Sequence, residues 1–137
     1  MKQNIIIKDI VLDLDGVFAD FDSAVTDLFG DNWQQMNKNQ FWRILSKHEN
    51  FFKTIKLLPY AKELFNIFKD TNHFILTALP IPNGNLVNAR EHKTEWVREN
   101  LCSKVPVETV IGGKNKGPEF ARPDRLLIDD TLRNIEI

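Results

Sequence analysis

Ile10-Val11-Leu12-Asp13-Leu14-Asp15-Gly16-Val17 decides the architecture of this chain. The run Ile10 to Leu12 is apolar, partly β-branched and soon closed by a glycine, which is the pattern of a short buried strand. We expect that strand from about Ile5 to Leu14. Side chains alternate along a strand, so Asp13 and Asp15 fall on one face, where like charges repel. A chain keeps such a pair when a cation lies between them, or when one carboxylate attacks and the other moves protons. Gly16 lets the backbone turn sharply beside a ligand. The plain alternative is a solvated pair of turn carboxylates.

Downstream, the pattern switches between helical and extended periods. Ser23 to Phe29 reads as a helix with Val25, Leu28 and Phe29 on one face, stopped by Gly30. Asp31 to Gln40 is polar and reads as loop, and Phe41 to Lys47 as a short helix. Pro59 opens a helix that runs to about Lys69. His73 to Thr77 is a second buried strand, followed by a Pro- and Gly-rich loop. A long helix from about Leu86 to Leu101 carries Val87, Trp96, Val97 and Leu101 on one stripe. Val107 to Ile111 is a third strand and Arg125 to Asp129 a fourth. A loop from Gly112 to Pro118 lies between them, followed by one helical turn near Glu119 to Arg122.

Alternating strands and helices with long crossovers predict an α/β fold: a parallel, Rossmann-like sheet of about four strands flanked by helices. The stretch 17–58 breaks the rhythm. It reads as a small helical cap over the carboxyl edge of the sheet, with 1–16 and 59–137 as the core. Open α/β sheets bind their ligands at that edge.

The bulk composition fits one ordinary domain: 137 residues, 42% apolar and 27% charged, with a net charge of −1. That charge gives no bulk attraction to a nucleic acid polymer or a membrane. The single cysteine, Cys102, excludes an intramolecular disulfide and suits a reducing cytoplasmic setting. Ile5-Ile6-Ile7 is too short for a signal peptide or a membrane span. His48, His73 and His92 are too scattered for a metal site.

The strand ends bring together Asp13, Asp15, Thr77, a lysine and the pair Asp129-Asp130. Carboxylates, a hydroxyl and an ammonium around one crevice suit a hard cation and a phosphoryl group. These residues, in this order, resemble the four motifs of the haloacid dehalogenase-like phosphatases. More narrowly, the chain is similar to the 5′(3′)-deoxyribonucleotidase family, including its short bacterial and phage members. The likeness rests on the stretch from Asp13 to Phe21, Asn50-Phe51-Phe52, Leu58-Pro59, Phe74 to Ala78, Lys93 to Val97, and Leu127 to Asp130. It covers nearly the whole chain. The family continues past the acidic pair with a Trp, a Gly-Gly and a further strand, which are lacking before Ile137. The expectation is therefore a sheet one strand short, or a truncated gene product.

The resemblance implies a Mg²⁺-dependent phosphatase. Asp13 would be the nucleophile and Asp15 the acid and base. Asp13, Asp15, Asp129 and Asp130 would hold the metal, and Thr77 and Ala78 would bind the phosphoryl group. Three lysines compete for that group: Lys116 and Lys114 in the loop after the third strand, and Lys93 on the long helix. Lys116 is favoured over Lys114 by its spacing. Phe21, Phe41, Trp42, Phe51 and Phe52 are either a slot for a nucleobase or the core of the cap. Gly112-Gly113-Lys114 lacks the full Walker pattern and is read as a turn.

The expected partner is a small phosphomonoester, a nucleotide first, with a homodimer left open. The alternatives are a phosphatase of another small phosphomonoester, such as a sugar phosphate, and a non-catalytic phosphate-binding or regulatory protein. A signalling receiver domain uses similar residues, but there the acidic pair ends the first strand and here it ends the last.

Overall fold

The computed structural model describes residues 6–112 and 120–129. Four strands form one sheet: β1 (Asp9–Leu12), β2 (His73–Leu79), β3 (Val107–Ile111) and β4 (Arg125–Ile128). All neighbours are parallel and the order is β3-β2-β1-β4. The fold is α/β with helices flanking the sheet, as the alternating periods require. β1 and β2 lie inside the sheet and carry its most continuous apolar runs. Val11, Leu12, Ile75 and Leu76 are buried, as expected for strands covered on both faces.

The chain leaves β3, passes the strands already laid down, and adds β4 on the far side of β1. The strand order therefore reverses between β1 and β4. In open α/β sheets such a reversal leaves a crevice at the carboxyl ends of the strands.

Helix α1 (Phe21–Phe29) is capped by Asp20, whose carboxylate accepts from the Ser23 amide at 3.2 Å. Helix α2 (Lys38–Leu45) is capped by Asn37, which accepts from the Asn39 and Gln40 amides. Helix α3 (Ala61–Ile67) precedes β2, and α4 (Ala89–Asn100) connects β2 to β3. Short 3-10 turns occupy Trp33–Gln35, Phe51–Lys53 and Gly84–Asn88.

Several expected boundaries move. β1 starts at Asp9, and the expected start at Ile5 lies outside the described residues. The polar stretch before Phe41 already contains a 3-10 turn and the first turn of α2, because Asn37 offers a cap where loop was expected. The fourth strand ends at Ile128 rather than Asp129. The expected helix from Leu86 is a 3-10 turn followed by α4. The change of winding shifts the phase, so Val87 is 60% exposed while Trp96 and Val97 are buried. Leu28 likewise points outward, and α1 buries Val25 with Phe21, Ala24 and Phe29 packed beside it. The Gly112–Pro118 loop is described only at Gly112, and of the turn expected near Glu119 only Phe120 to Arg122 are described.

One apolar cluster runs from the sheet into the segment 17–58. Leu12, Ile75 and Trp96 share it with Phe18, Val25, Phe41, Leu45 and Phe52. The helical insertion is thus fused to the core rather than loosely hung on it. Backbone bonds tie its two ends together: Leu58 N donates to Phe18 O, and Asp20 N to Lys56 O, both at 2.9 Å. The buried indole of Trp96 on α4 donates to Ile55 O at 2.6 Å, which satisfies its one polar atom. Among the described residues no helix is long and apolar enough to cross a membrane.

Candidate functional site

The site begins at the end of β1. Asp13 N still donates to Ile128 O at 2.9 Å, so Asp13 extends the β1–β4 ladder by one step. The register pairs Leu12 with Ile128, which puts Asp13 and Asp129 next to each other as the residues after two adjoining strand ends. Asp13 is 6% exposed. The backbone then turns tightly. Leu14 O accepts from the amides of Val17, Phe18 and Ala19, and Gly16 N donates to Ala19 O at 2.9 Å. Gly16 takes φ +81°, a conformation that favours glycine, as its place in the sequence predicted. This turn holds Asp15 at the crevice, opposite β2 and α4.

Lys93 meets Asp15 there. Its ammonium donates to Asp15 Oδ2 at 2.8 Å, to Thr77 Oγ1 at 3.1 Å and to Ala78 O at 2.7 Å. An ammonium has three N–H donors, so all three are used. Lys93 is only 2% exposed, and its nitrogen lies 4.6 Å from the centre of the Phe52 ring. A lysine this deeply buried persists only when paired and hydrogen-bonded. The arrangement supplies three acceptors, one of them a carboxylate, and an aromatic face. Thr77 is fully buried inside β2, which runs two residues further than expected, to Leu79.

Of the three lysines considered, Lys93 is the one among the described residues that joins Asp15 and Thr77. Lys114 and Lys116 lie outside the described residues, as does Asp130. A signal for Lys93 was present in the sequence. It occupies the same helical stripe as Ala89, Trp96 and Val97, all buried, and a lysine on an apolar stripe has to reach a partner.

A cleft of about 780 Å³ opens above this knot. Its floor includes Asp15, Lys93 and Ala78, and its wall on the side of the helical insertion includes Phe21, Trp42 and Phe52. Phe41 and Phe51 are not among the lining residues. They are buried within the insertion, Phe41 against Phe29, Trp33 and Trp42, and Phe51 against Phe21 and Phe52. The five aromatics therefore divide into three facing the cleft and two supporting them. Asn39 and Arg43 also line the cleft, and neither was singled out in the sequence. The available signal was their spacing about Trp42 on one helix face.

Magnesium binds through one or two carboxylates and fills its shell with water and substrate phosphate. Asp13 and Asp129 at adjoining strand ends are donors of that kind. Among the described residues no group of three or more His, Cys, Asp or Glu side chains gathers as a metal cage, and a two-carboxylate site completed by phosphate does not need one. The donor set present fits the ion. No family model matches the chain, and no curated protein matches it.

Proposed function

We propose that this chain is a Mg²⁺-dependent phosphomonoesterase acting on small phosphomonoesters, nucleoside monophosphates first. In this reading the sheet is the Rossmann-like core of a haloacid dehalogenase-like phosphatase. The single observation that supports it best is the buried Lys93 ammonium, held at 2.8 Å from Asp15 and 3.1 Å from Thr77 at the open end of the sheet. A cation so placed, on a carboxylate two residues beyond the buried Asp13, suits the charge that develops on a phosphoryl group during transfer.

Asp13 attacks phosphorus in line. The bond to the leaving oxygen breaks as the Asp13–phosphoryl bond forms, which splits one hard displacement into two. Asp15 gives its proton to the leaving oxygen and then takes one from the water that hydrolyses the aspartyl-phosphate. Lys93 and Thr77 donate to the phosphoryl oxygens. Because Lys93 has no spare donor, an arriving phosphoryl group displaces one of its present partners. Exchange of the Asp15 contact frees that carboxyl to carry the proton. A bound magnesium ion, held by Asp13 and Asp129, would neutralise charge on the phosphoryl oxygens. Phe21, Trp42 and Phe52 give a leaving group with a flat ring an apolar wall.

The test is phosphate release across nucleoside monophosphates and sugar phosphates, with and without Mg²⁺, for the native chain and Asp13→Asn. The expected result is metal-dependent release that Asp13→Asn abolishes with its fold intact. Equal release by Asp13→Asn would remove the aspartyl-phosphate route.

A further inference from the structure

The cleft carries two polar side chains, Asn39 and Arg43, that the chemistry proposed at its floor does not use. Asn39, Trp42 and Arg43 all line it, and their spacing puts them on one face of α2. The opposite face of the helix buries Phe41 and Leu45, so the orientation of α2 is fixed by packing. Arg43 is exposed, and among the described residues its guanidinium has no carboxylate partner. Lys93 and Asp15 on the floor satisfy one another. Arg43 is therefore the uncompensated charge among the described residues that line the cleft.

The sequence around Arg43 is basic. Charge in the helical insertion is divided along the chain. Residues 20–31 carry Asp20, Asp22, Asp27 and Asp31 with no basic residue, whereas 38–56 carry Lys38, Arg43, Lys47, Lys53 and Lys56 against Glu49 alone. Of these, Lys53 is paired with Glu95 at 3.0 Å. Of that second stretch, Asn39, Trp42, Arg43 and Phe52 line the cleft, so Arg43 is the basic residue it contributes there. Arg adds geometry to charge, because its planar fork matches carboxylate and phosphate oxygens in pairs.

We propose that Arg43 docks a second oxyanion, so that a phosphomonoester, a nucleotide included, is taken in preference to its plain counterpart when it bears a carboxylate or a further phosphate at the end away from the scissile group. This rests on the phosphatase reading of the floor, and it goes further by naming what the far end of the substrate carries. A cleft of about 780 Å³ has room for both ends of such a molecule.

The experiment compares matched substrates. One pair is 4-carboxyphenyl phosphate and its neutral carboxamide analogue. The other is a deoxynucleoside 3′,5′-bisphosphate and the corresponding 5′-monophosphate. kcat/KM is measured for the native chain, for Arg43→Met and for Lys62→Met, the last an exposed charge removed from α3. We expect the native chain to favour the doubly anionic member of at least one pair by about fivefold or more, the upper range for an exposed ion pair. That ratio should fall to near one in Arg43→Met, persist in Lys62→Met, and shrink as salt is raised. The pair that responds tells carboxylate from phosphate. A native ratio near one in both pairs, or a ratio that survives Arg43→Met, overturns the proposal. If no phosphomonoester turns over, the phosphatase reading fails. The same four compounds titrated against the fluorescence of Trp42 and its neighbours then decide the anion site. Affinity for the doubly charged compounds that depends on Arg43 sustains it, and affinity indifferent to Arg43 ends it.

Discussion

Lys93 and Asp15 stand 78 residues apart in sequence and meet at 2.8 Å. Their contact joins the turn after β1 to the second turn of α4, and the same ammonium reaches Thr77 and Ala78 on β2. Three separate segments are thus registered by one nitrogen. The position is held from behind by Trp96, one turn further along α4, whose indole is anchored on Ile55 O. The apolar packing of the helix sets where the charge sits, and the charge sets where the Asp15 carboxylate points.

Lys93→Met tests that arrangement. Methionine retains the apolar stem and removes the ammonium. Loss of one preorganised donor to a developing charge costs about 10²–10³ in kcat. The loss of stability should be smaller, because the Asp15 side chain is 27% exposed and water can solvate it once Lys93 is gone. Steady-state kinetics and a melting curve on the same preparation make the comparison. Turnover within about tenfold of the native chain would place the phosphoryl group elsewhere.

Metal removal gives a second prediction. Activity should vanish in EDTA and return with Mg²⁺, and Ca²⁺ should restore little of it. Calcium accepts a larger and looser oxygen shell, and the in-line attack proposed for Asp13 needs the tighter one. Full activity in a chelated preparation would contradict the assignment of Asp13 and Asp129 as metal donors.

The parallel sheet was legible because its signals are local. Ile10 to Leu12 and Phe74 to Leu76 are short apolar runs and Val107 to Ile111 a β-branched one, separated by helical periods, and that alternation leaves little topological choice. The acidic positions at the ends of β1 and β4 could be read for the same reason. The contacts of Lys93 could not be read with equal force. Spacing favours Lys116 and then Lys114, which lie outside the described residues, and Lys93 looks like one of many helix lysines until its stripe is compared with Ala89, Trp96 and Val97. The division of the aromatics was hidden for a different reason. Phe41 and Trp42 are neighbours in sequence, and only the rotation of α2 decides which one faces the cleft. That rotation is set by contacts with Phe29 and Trp33, which no local pattern encodes.

Gly84 links the loop after β2 to the end of α2. It takes φ +53°, and a Cβ there would lie 2.8 Å from Ser46 O, the same oxygen that accepts from Asn85 N at 2.9 Å. Gly84→Ala therefore meets both a conformational penalty and a backbone clash. Gly30, at φ +87°, has nothing within 4 Å of the place an alanine methyl would take, and a substitution there meets only the first. Gly30 also has ψ 176°, a combination open almost only to glycine, so we expect Gly30→Ala to cost about 1–3 kcal/mol from backbone strain and Gly84→Ala about 2–3 kcal/mol from strain and clash together. Chemical denaturation of the two variants measures the difference. A loss in Gly84→Ala below about 1 kcal/mol would mean that the Ser46 contact relaxes freely and does not fix α2 against the loop.

Phe21 and Phe51 give the sharpest test of the aromatic wall. The two rings pack edge to face, 6.0 Å apart. Phe21 lines the cleft, whereas Phe51 is buried and does not. If the wall holds a nucleobase, binding energy gained there positions a phosphate that reacts at the floor. Phe21→Ala should then lower kcat/KM for a nucleotide more than for a small alkyl phosphate. Loss of one stacking contact, about 1–3 kcal/mol, corresponds to a selective loss of about five- to a hundredfold. Phe51→Leu should lower the melting temperature and leave the ratio of the two substrates near its native value, because the ring it removes supports the wall without forming it. The measurement is the nucleotide-to-surrogate ratio for all three proteins, each with a melting curve. A ratio that is unchanged in Phe21→Ala would make the exposed face of that ring structural. The substrate would then be a small phosphomonoester without a base, still hydrolysed by Asp13 and Asp15 but not recognised by the insertion above them.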